Sequence, residues 1–187
     1  MRTGKATSVL AACAALAFAG AAAEESGASP QTAGAGASGP VCGGDARPYR
    51  DFDFLVGHWD FFTMNDRKIG EQVYTKREQG CLIVEDWTTL NGGTGTGVNF
   101  VDPATGLWRQ VWMSPRFHID YSGGLDENGD ILLEGRIYPN DGSADAPVRG
   151  VYAREDDGSV VKEFLQFNEE TDVWERFFIG RARRKAD

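Results

Sequence analysis

Aromatic and amide side chains alternate in one short segment of the chain, Leu107–Ser114. If this segment is a β-strand, its alternation places Trp108, Gln110 and Trp112 on one face and the intervening residues on the other. Asn99 lies across a turn, in the extended segment that comes before. Because an amide among aromatic rings can orient a small, partly apolar ligand, this face predicts the wall of a pocket or part of a core.

Two further sets of side chains could move protons or bind a metal. His118 and Asp120 share one face of another extended segment, as a metal-binding or general-base pair requires. Two ligands do not make a metal site, and the second histidine, His58, has no acidic cluster aligned with it, so no metal is expected. Glu85 lies within an otherwise apolar segment, and it points either outward to solvent or inward to an ion pair.

Turn residues separate the extended segments. The segment Asp102–Gly106 predicts a hairpin turn, because Pro103 presets φ and Gly106 accepts the left-handed conformation that closes the turn. The glycine-rich run Gly92–Gly97 has no lysine and no helix after it. It therefore predicts a β-turn or a tight barrel corner rather than a phosphate cradle.

About ten extended segments follow one another with short links, and none of them has a sustained helical period. The two edge strands of such a long meander pair their N–H and C=O groups most simply with each other. We therefore predict an all-β, antiparallel up-and-down barrel of about ten strands. The predicted strands are Gly57–Met64, Gly70–Arg77, Cys81–Thr89, Gly95–Val101, Leu107–Ser114, Phe117–Ser122, Ile131–Tyr138, Val148–Arg154, Val160–Phe167 and Val173–Arg183.

The beginning of the chain differs in composition from the rest. Arg2 and Lys5 precede an Ala-rich run that is too short for a convincing membrane span, so residues 1–23 are predicted to be a cleaved signal peptide. Residues 24–47 are rich in Gly, Ala, Ser and Pro and predict a flexible leader, which leaves residues 48–187 as one barrel domain. We expect a periplasmic or secreted protein. A lipoprotein-type cleavage at Cys13 is the alternative, and it would tether the protein to a membrane.

The net negative charge of the chain limits the partners that it can bind. Removing Arg2 and Lys5 takes away two of the 19 basic residues and none of the 28 acidic ones, so the net charge goes from −9 to −11. Nucleic-acid binding needs clustered lysine and arginine, so we expect no nucleic-acid partner. The sequence does not indicate an oligomeric state.

Two cysteines, Cys42 and Cys81, remain after the predicted cleavage. An exported chain meets an oxidising compartment, where such a pair of thiols usually forms a disulfide. We therefore predict a Cys42–Cys81 bond that fastens the leader to the barrel. The alternative is two separate, small apolar residues.

Three segments carry a resemblance to a known family. They are Phe52–Asp60, Gly80–Trp87 and Asn99–Trp108, the last reading Asn-Phe-Val-Asp-Pro-Ala-Thr-Gly-Leu-Trp. With the Gln and Trp residues of the hairpin, they resemble the bacterial family catalogued as domain of unknown function 1579, over nearly the whole predicted domain. The resemblance implies a calycin-like, lipocalin-related barrel in mostly exported proteins. It implies no established activity, so no catalytic residue is carried over.

A more distant similarity concerns the opening strand. Its Gly-x-Trp pattern, Gly57 to Trp59, is similar to that of lipocalins and of the haem-binding nitrobindins. The nitrobindin resemblance would call for an axial histidine toward the end of the chain. The final predicted strands, Val160–Phe167 and Val173–Arg183, contain none, so we expect no haem or other cofactor.

These observations favour an exported barrel that binds a small hydrophobic or amphipathic molecule in its mouth. One alternative is a cofactor-free enzyme that uses the same cavity, with His118, Asp120 or Glu85 as proton carriers. The other is a structural or interaction protein whose barrel is filled with side chains. A cavity, and a titratable group held inside it, would distinguish the three. The predicted ligand-binding residues are Trp59, Trp87, Asn99, Trp108, Gln110 and Trp112.

Overall fold

The structure is a computed structural model, and it describes residue 42 and residues 47–186. The predicted signal peptide, Cys13 and nearly all of the predicted leader lie outside the described residues. The helices of the described part are two 3₁₀ turns, Asp53–Leu55 and Glu78–Gly80. None of its helices has the length and apolar character needed to cross a membrane.

Ten antiparallel strands form a closed barrel, which confirms the predicted all-β, up-and-down architecture. Each strand pairs with its neighbours in the chain, and the first and last strands pair to close the ring. The strands are β1 Gly57–Phe62, β2 Lys68–Arg77, β3 Leu82–Thr89, β4 Thr94–Val101, β5 Trp108–Met113, β6 Phe117–Leu125, β7 Ile131–Pro139, β8 Ala146–Arg154, β9 Val160–Asn168 and β10 Val173–Arg184.

The predicted turn between β4 and β5 has the expected local chemistry. Gly106 has a φ of +73°, and its N–H donates to the Asp102 carbonyl at 2.7 Å. The Asp102 side chain also accepts a hydrogen bond from the backbone N–H of Ala104 at 2.8 Å. The turn fixes a register in which Asn99 pairs with Gln110 across the hairpin.

Side chains alternate between the inside and the outside of the barrel along β5. Trp108 and Gln110 are buried, whereas Arg109 and Val111 are partly exposed. This burial confirms the face predicted from the spacing of the Trp and Gln residues, because residues two apart in a strand share one side of the sheet.

The segment before β1 closes one end of the barrel. Phe52 stacks on the Trp108 ring with a centroid distance of 4.2 Å, and the Trp108 indole N–H donates to the Pro48 carbonyl at 2.9 Å. The Trp59 indole N–H donates to the Leu55 carbonyl at 2.7 Å. The apolar core fills this closed end, since the strands that start there begin with buried side chains such as Ile83, Ile131 and Val160.

A disulfide joins Cys42 to Cys81, with a Cα–Cα distance of 4.8 Å, as the cysteine count predicted. Cys81 lies directly before β3. The bond therefore fastens Cys42 beside a strand of the barrel.

Candidate functional site

A cavity of about 280 Å³ lies inside the barrel, away from the end that the Phe52 segment closes. Successive strands of an up-and-down barrel run in opposite directions, so the ends of the odd-numbered strands share a rim with the starts of the even-numbered ones. Phe61 and Trp112 lie near the ends of β1 and β5, and Phe117 starts β6. All three line the cavity, which places it at this second rim, the mouth.

Aromatic side chains make up most of the cavity lining, and we call them the aromatic wall. Phe61 meets Trp87 edge to face at 5.2 Å and lies 5.7 Å from Phe178. Phe164 lies 5.7 Å from Phe178. Such offset and edge contacts hold the rings in place beyond what burial alone provides. The aromatic wall consists of Phe61, Trp87, Trp112, Phe117, Phe164, Phe177 and Phe178.

A β-bulge in β10 adds one ring to the aromatic wall. The pairing of β10 with β9 shifts register between Arg176 and Phe178, which leaves Phe177 as the extra residue. A bulge redirects the side chains around it, so two consecutive phenylalanines both reach the cavity. Phe177 is 44% exposed and lies where the cavity meets solvent.

Two glycines of β4 make room for the wall and for the groups beneath it. A Cβ atom at Gly95 would lie 2.3 Å from the Trp112 ring, and one at Gly97 would lie 3.1 Å from a Glu85 carboxylate oxygen. These close approaches explain part of the glycine-rich run, since only glycine leaves this space. Gly92, with a φ of +80°, lies in the turn before β4, as the turn interpretation predicted.

Polar side chains form the base of the cavity, and Glu85 lies at their centre. Its two carboxylate oxygens accept hydrogen bonds from Gln72 Nε2 at 2.7 Å and from Gln110 Nε2 at 3.0 Å. All three side chains are at least nine-tenths buried. We call this set the polar floor, and it consists of Gln72, Tyr74, Glu85, Gln110, Tyr121, Tyr152 and Lys162.

Two tyrosines complete the hydrogen bonds of Gln110. The hydroxyls of Tyr121 and Tyr152 both contact Gln110 Oε1, the latter at 2.9 Å, and they lie 2.9 Å from each other. Each hydroxyl has one proton to donate, so at any moment only two of these three contacts are hydrogen bonds. Burial raises the pKa of both tyrosines, which therefore stay protonated and remain donors.

Lys162 is a buried amine at the cavity, with only 1% of its surface exposed. Its Nζ donates to the Tyr74 hydroxyl and lies 3.9 Å from Glu85 Oε1. The rings of Tyr74 and Tyr152 lie 4.6 and 4.8 Å from Nζ. Burial lowers the pKa of Lys162 to about 8, against the opposing attraction of the Glu85 carboxylate.

One atom of the polar floor lacks a partner. Among the described residues no donor reaches the buried Oε1 of Gln72. The orientation of this amide is fixed, because a carboxylate only accepts and the Gln72 nitrogen must therefore face Glu85. Gln72 lines the cavity, and its Oε1 has almost no accessible surface, so a ligand donor reaches this acceptor once the side chains that cover it shift.

The lowered pKa of Lys162 predicts an unusual pH dependence of stability. Between pH 8 and 10 the unfolded chain, with an ordinary lysine, binds more protons than the folded chain, so the free energy of unfolding rises with pH. The expected net rise is about 1 kcal/mol, because the raised pKa of the three buried tyrosines offsets about half of the lysine contribution as pH 10 is approached. Urea denaturation at several pH values measures it. Above pH 10 the free energy of unfolding falls again. Burial raises the pKa of the tyrosines, so the folded chain keeps protons that the unfolded chain loses.

The matched controls are Lys162→Met and Lys185→Met. The first removes the buried amine, so its stability should lack this rise, whereas the second removes an exposed amine that pairs with Glu71 and should keep it. Equal pH profiles for the wild type and Lys162→Met would contradict the prediction.

The structure distributes the predicted ligand-binding residues between the cavity and the core. Trp87 and Trp112 belong to the aromatic wall, and Gln110 belongs to the polar floor. Asn99 donates to the Ile83 carbonyl at 3.0 Å. Gln110 lies behind the cavity lining, where it donates to Glu85, and the other predicted residues outside the lining are Trp59, Asn99 and Trp108.

The candidate proton carriers lie on different sides of the barrel wall. His118 stacks on the Tyr138 ring at 4.8 Å, and Asp120 pairs with Arg109 at 2.6 Å. Both alternate with the buried residues of β6 and so lie on the outer face of the barrel. Of the three candidates, Glu85 alone points inward.

Sequence reasoning missed several residues of the polar floor and the aromatic wall. The alternation of side chains along β9 indicates that Lys162 points inward, because it shares a strand face with the apolar Val160 and Phe164. Alternation along β6 likewise indicates that Tyr121 points inward, on the same face as Ile119. The residues missed were Phe61, Gln72, Tyr74, Phe117, Tyr121, Tyr152, Lys162, Phe164, Phe177 and Phe178.

The fold and the site together define a closed up-and-down β-barrel with an aromatic cavity above buried, hydrogen-bonded polar groups. No protein-family model and no curated protein matches the chain. The resemblance to domain of unknown function 1579 therefore stays a prediction, and function is argued from the geometry of the cavity.

Proposed function

We propose that the protein binds a small amphipathic molecule in the mouth of its barrel. The apolar part of the ligand lies against the aromatic wall, and its polar end meets the polar floor. A cavity of about 280 Å³, bounded by rings and containing a few convergent polar groups, has the composition of a small-molecule site.

The unpaired Oε1 of Gln72 is the observation that carries this proposal. A buried acceptor without a partner costs about 1 to 3 kcal/mol, and a ligand that donates to it recovers that free energy. The polar end of the ligand is therefore expected to contain a hydrogen-bond donor such as a hydroxyl. An aromatic or branched apolar body complements the wall.

The same geometry weighs against the two alternatives. A barrel filled with side chains would leave no space of this size at the mouth. An enzyme that used His118 or Asp120 would need them inside the cavity, but both lie on the outer face, and both carboxylate oxygens of the remaining candidate, Glu85, already accept hydrogen bonds from Gln72 and Gln110. Binding is therefore the function that the cavity supports best.

We propose further that the protein works outside the cytoplasm, in the periplasm or after secretion. The Cys42–Cys81 disulfide supports this placement, because such bonds persist in oxidising compartments. Labelling of free thiols in protein taken directly from the native cell envelope tests it. Two reactive thiols at these positions would contradict an oxidising location.

A pair of probes that differ by one hydroxyl tests the binding proposal. Naphthylmethanol is expected to bind about tenfold more tightly than methylnaphthalene, because its hydroxyl donates to Gln72 Oε1. Quenching of Trp87 and Trp112 fluorescence reports binding, and calorimetry gives the dissociation constants. Gln72→Met should reduce the difference between the probes to about twofold or less.

Gln79→Met is the matched control, because Gln79 is exposed in the 3₁₀ turn Glu78–Gly80 at the other end of the barrel. It should leave the preference for naphthylmethanol unchanged. The proposal is wrong if neither probe binds at its solubility limit. Equal binding of the two probes by the wild type would overturn the assignment of Gln72.

A further inference from the structure

Lys162 carries a nucleophilic amine that noncovalent binding does not use. Its side chain lines the cavity, and its amine contacts the Tyr74 hydroxyl and lies 3.9 Å from a carboxylate oxygen of Glu85. The other lysines in the described part of the chain form closer ion pairs at the surface. These pairs are Lys68 with Asp60 at 2.7 Å, Lys76 with Asp53 at 2.5 Å and Lys185 with Glu71 at 3.0 Å.

We propose that the ligand is a hydroxyaldehyde, whose hydroxyl is the donor to Gln72 Oε1, and that Lys162 captures it by forming an imine with the carbonyl carbon. This inference rests on the proposed function, since the aromatic wall must first hold the apolar body of the aldehyde. It names the chemical class of the ligand and makes the binding covalent but reversible.

The position of Nζ suits this reaction. The amine lies between the rings of Tyr74 and Tyr152, at the base of a cavity whose wall is apolar. An aldehyde that enters with its aromatic or aliphatic body against the wall presents its carbonyl end to the floor. The burial of Lys162 also limits the water that would hydrolyse an imine.

The reaction balances without an oxidant or a reductant. The neutral amine attacks the carbonyl carbon, a C–N bond forms, and the carbonyl oxygen gains a proton while the nitrogen loses one. The C–O bond then breaks and the nitrogen lone pair forms the C=N bond. The oxygen leaves as water with the two protons that the amine gave up, and Tyr74, whose hydroxyl contacts Nζ, relays them.

The protonation state of the floor supports the chemistry. A lysine with a pKa of about 8 keeps roughly a tenth of its amine neutral at pH 7, whereas an ordinary lysine keeps less than about one part in a thousand. Burial raises the pKa of Tyr74, so this residue keeps its proton available for the relay.

Reductive trapping tests the proposal. The full chain is incubated with naphthaldehyde at pH 7, any imine is reduced with sodium cyanoborohydride, and mass spectrometry of peptides locates the naphthylmethyl group. We expect at least about tenfold more adduct on Lys162 than on Lys68, Lys76 or Lys185, given its larger neutral fraction.

Lys162→Met should lose this adduct, and Lys185→Met should retain it. Mapping on the wild type decides the question if Lys162→Met does not fold, because the comparison among lysines is internal. An even distribution over the lysines, or no adduct on Lys162, would overturn imine formation.

The naphthylmethanol titration separates this failure from failure of the proposed function. Naphthylmethanol has the same apolar body but no carbonyl carbon. Binding of naphthylmethanol without an adduct on Lys162 rejects the imine and leaves the binding site in place. Absence of both rejects the binding function and the inference that rests on it.

Discussion

Replacement of Glu85 with leucine is expected to lower the free energy of unfolding by about 3 to 5 kcal/mol, because it leaves buried partners unpaired. Gln72 and Gln110 lose the acceptor for their amide N–H groups, and Lys162 loses the carboxylate that favours its charged form. Urea denaturation at pH 7 measures the change.

Two variants show whether the loss comes from the polar floor. Glu134→Leu removes an exposed carboxylate that pairs with Arg149, and it should cost less than about 1 kcal/mol. Addition of Lys162→Met to Glu85→Leu should recover part of the loss, since an apolar pair replaces a charge without a partner. A cost below about 1 kcal/mol for Glu85→Leu alone would show that the floor does not depend on this carboxylate.

Loss of the disulfide is expected to have a similar effect on stability. Cys42 and Cys81 are 39 positions apart, and closing a loop of this length stabilises the folded state by about 4 kcal/mol in the chain-entropy treatment. The double variant Cys42→Ser, Cys81→Ser should therefore unfold at a lower urea concentration by an amount that corresponds to this difference.

Reduction of the wild type with dithiothreitol provides the second arm of that experiment. It should reproduce the loss measured for the double variant, and it should leave the variant itself unchanged. If reduction alters both proteins equally, the effect does not come from the Cys42–Cys81 bond.

The strands and their connections could be predicted because their signals are local. Pro103 and Gly106 determine one turn through their own backbone preferences, and the alternation of β5 determines which residues point inward. Most predicted strand ends fall within one or two residues of those observed. Ten short hairpin strands then leave closure as the simplest way to satisfy both edges.

The candidate site was harder to predict because depth along the barrel axis is not a local property. Trp59 and Trp87 both point inward, yet Trp59 lies in the filled end and Trp87 lines the cavity. Their difference depends on which end the Phe52 segment closes, and alternation contains no information on that. The bulge that brings in Phe177 also breaks the alternation on which such predictions depend.

The burial of Lys162 likewise depends on distant parts of the chain. Its partners, Tyr74 and Glu85, come from β2 and β3, whereas Lys162 itself lies in β9. A lysine within an apolar strand face is compatible with solvent exposure until the ring closes. The closed topology, rather than any local pattern, makes the amine a buried group.

The pairing of β1 with β10 has a consequence for how the protein folds. Every other strand pair joins neighbours in the chain, but this one brings Trp59 opposite Arg184, at the far end of the folded chain. Sequence-distant contacts slow folding, because loop-closure entropy must be overcome before they form. Nascent chains therefore expose two unpaired strand edges until β10 is synthesised, and this interval is when the protein is most open to aggregation.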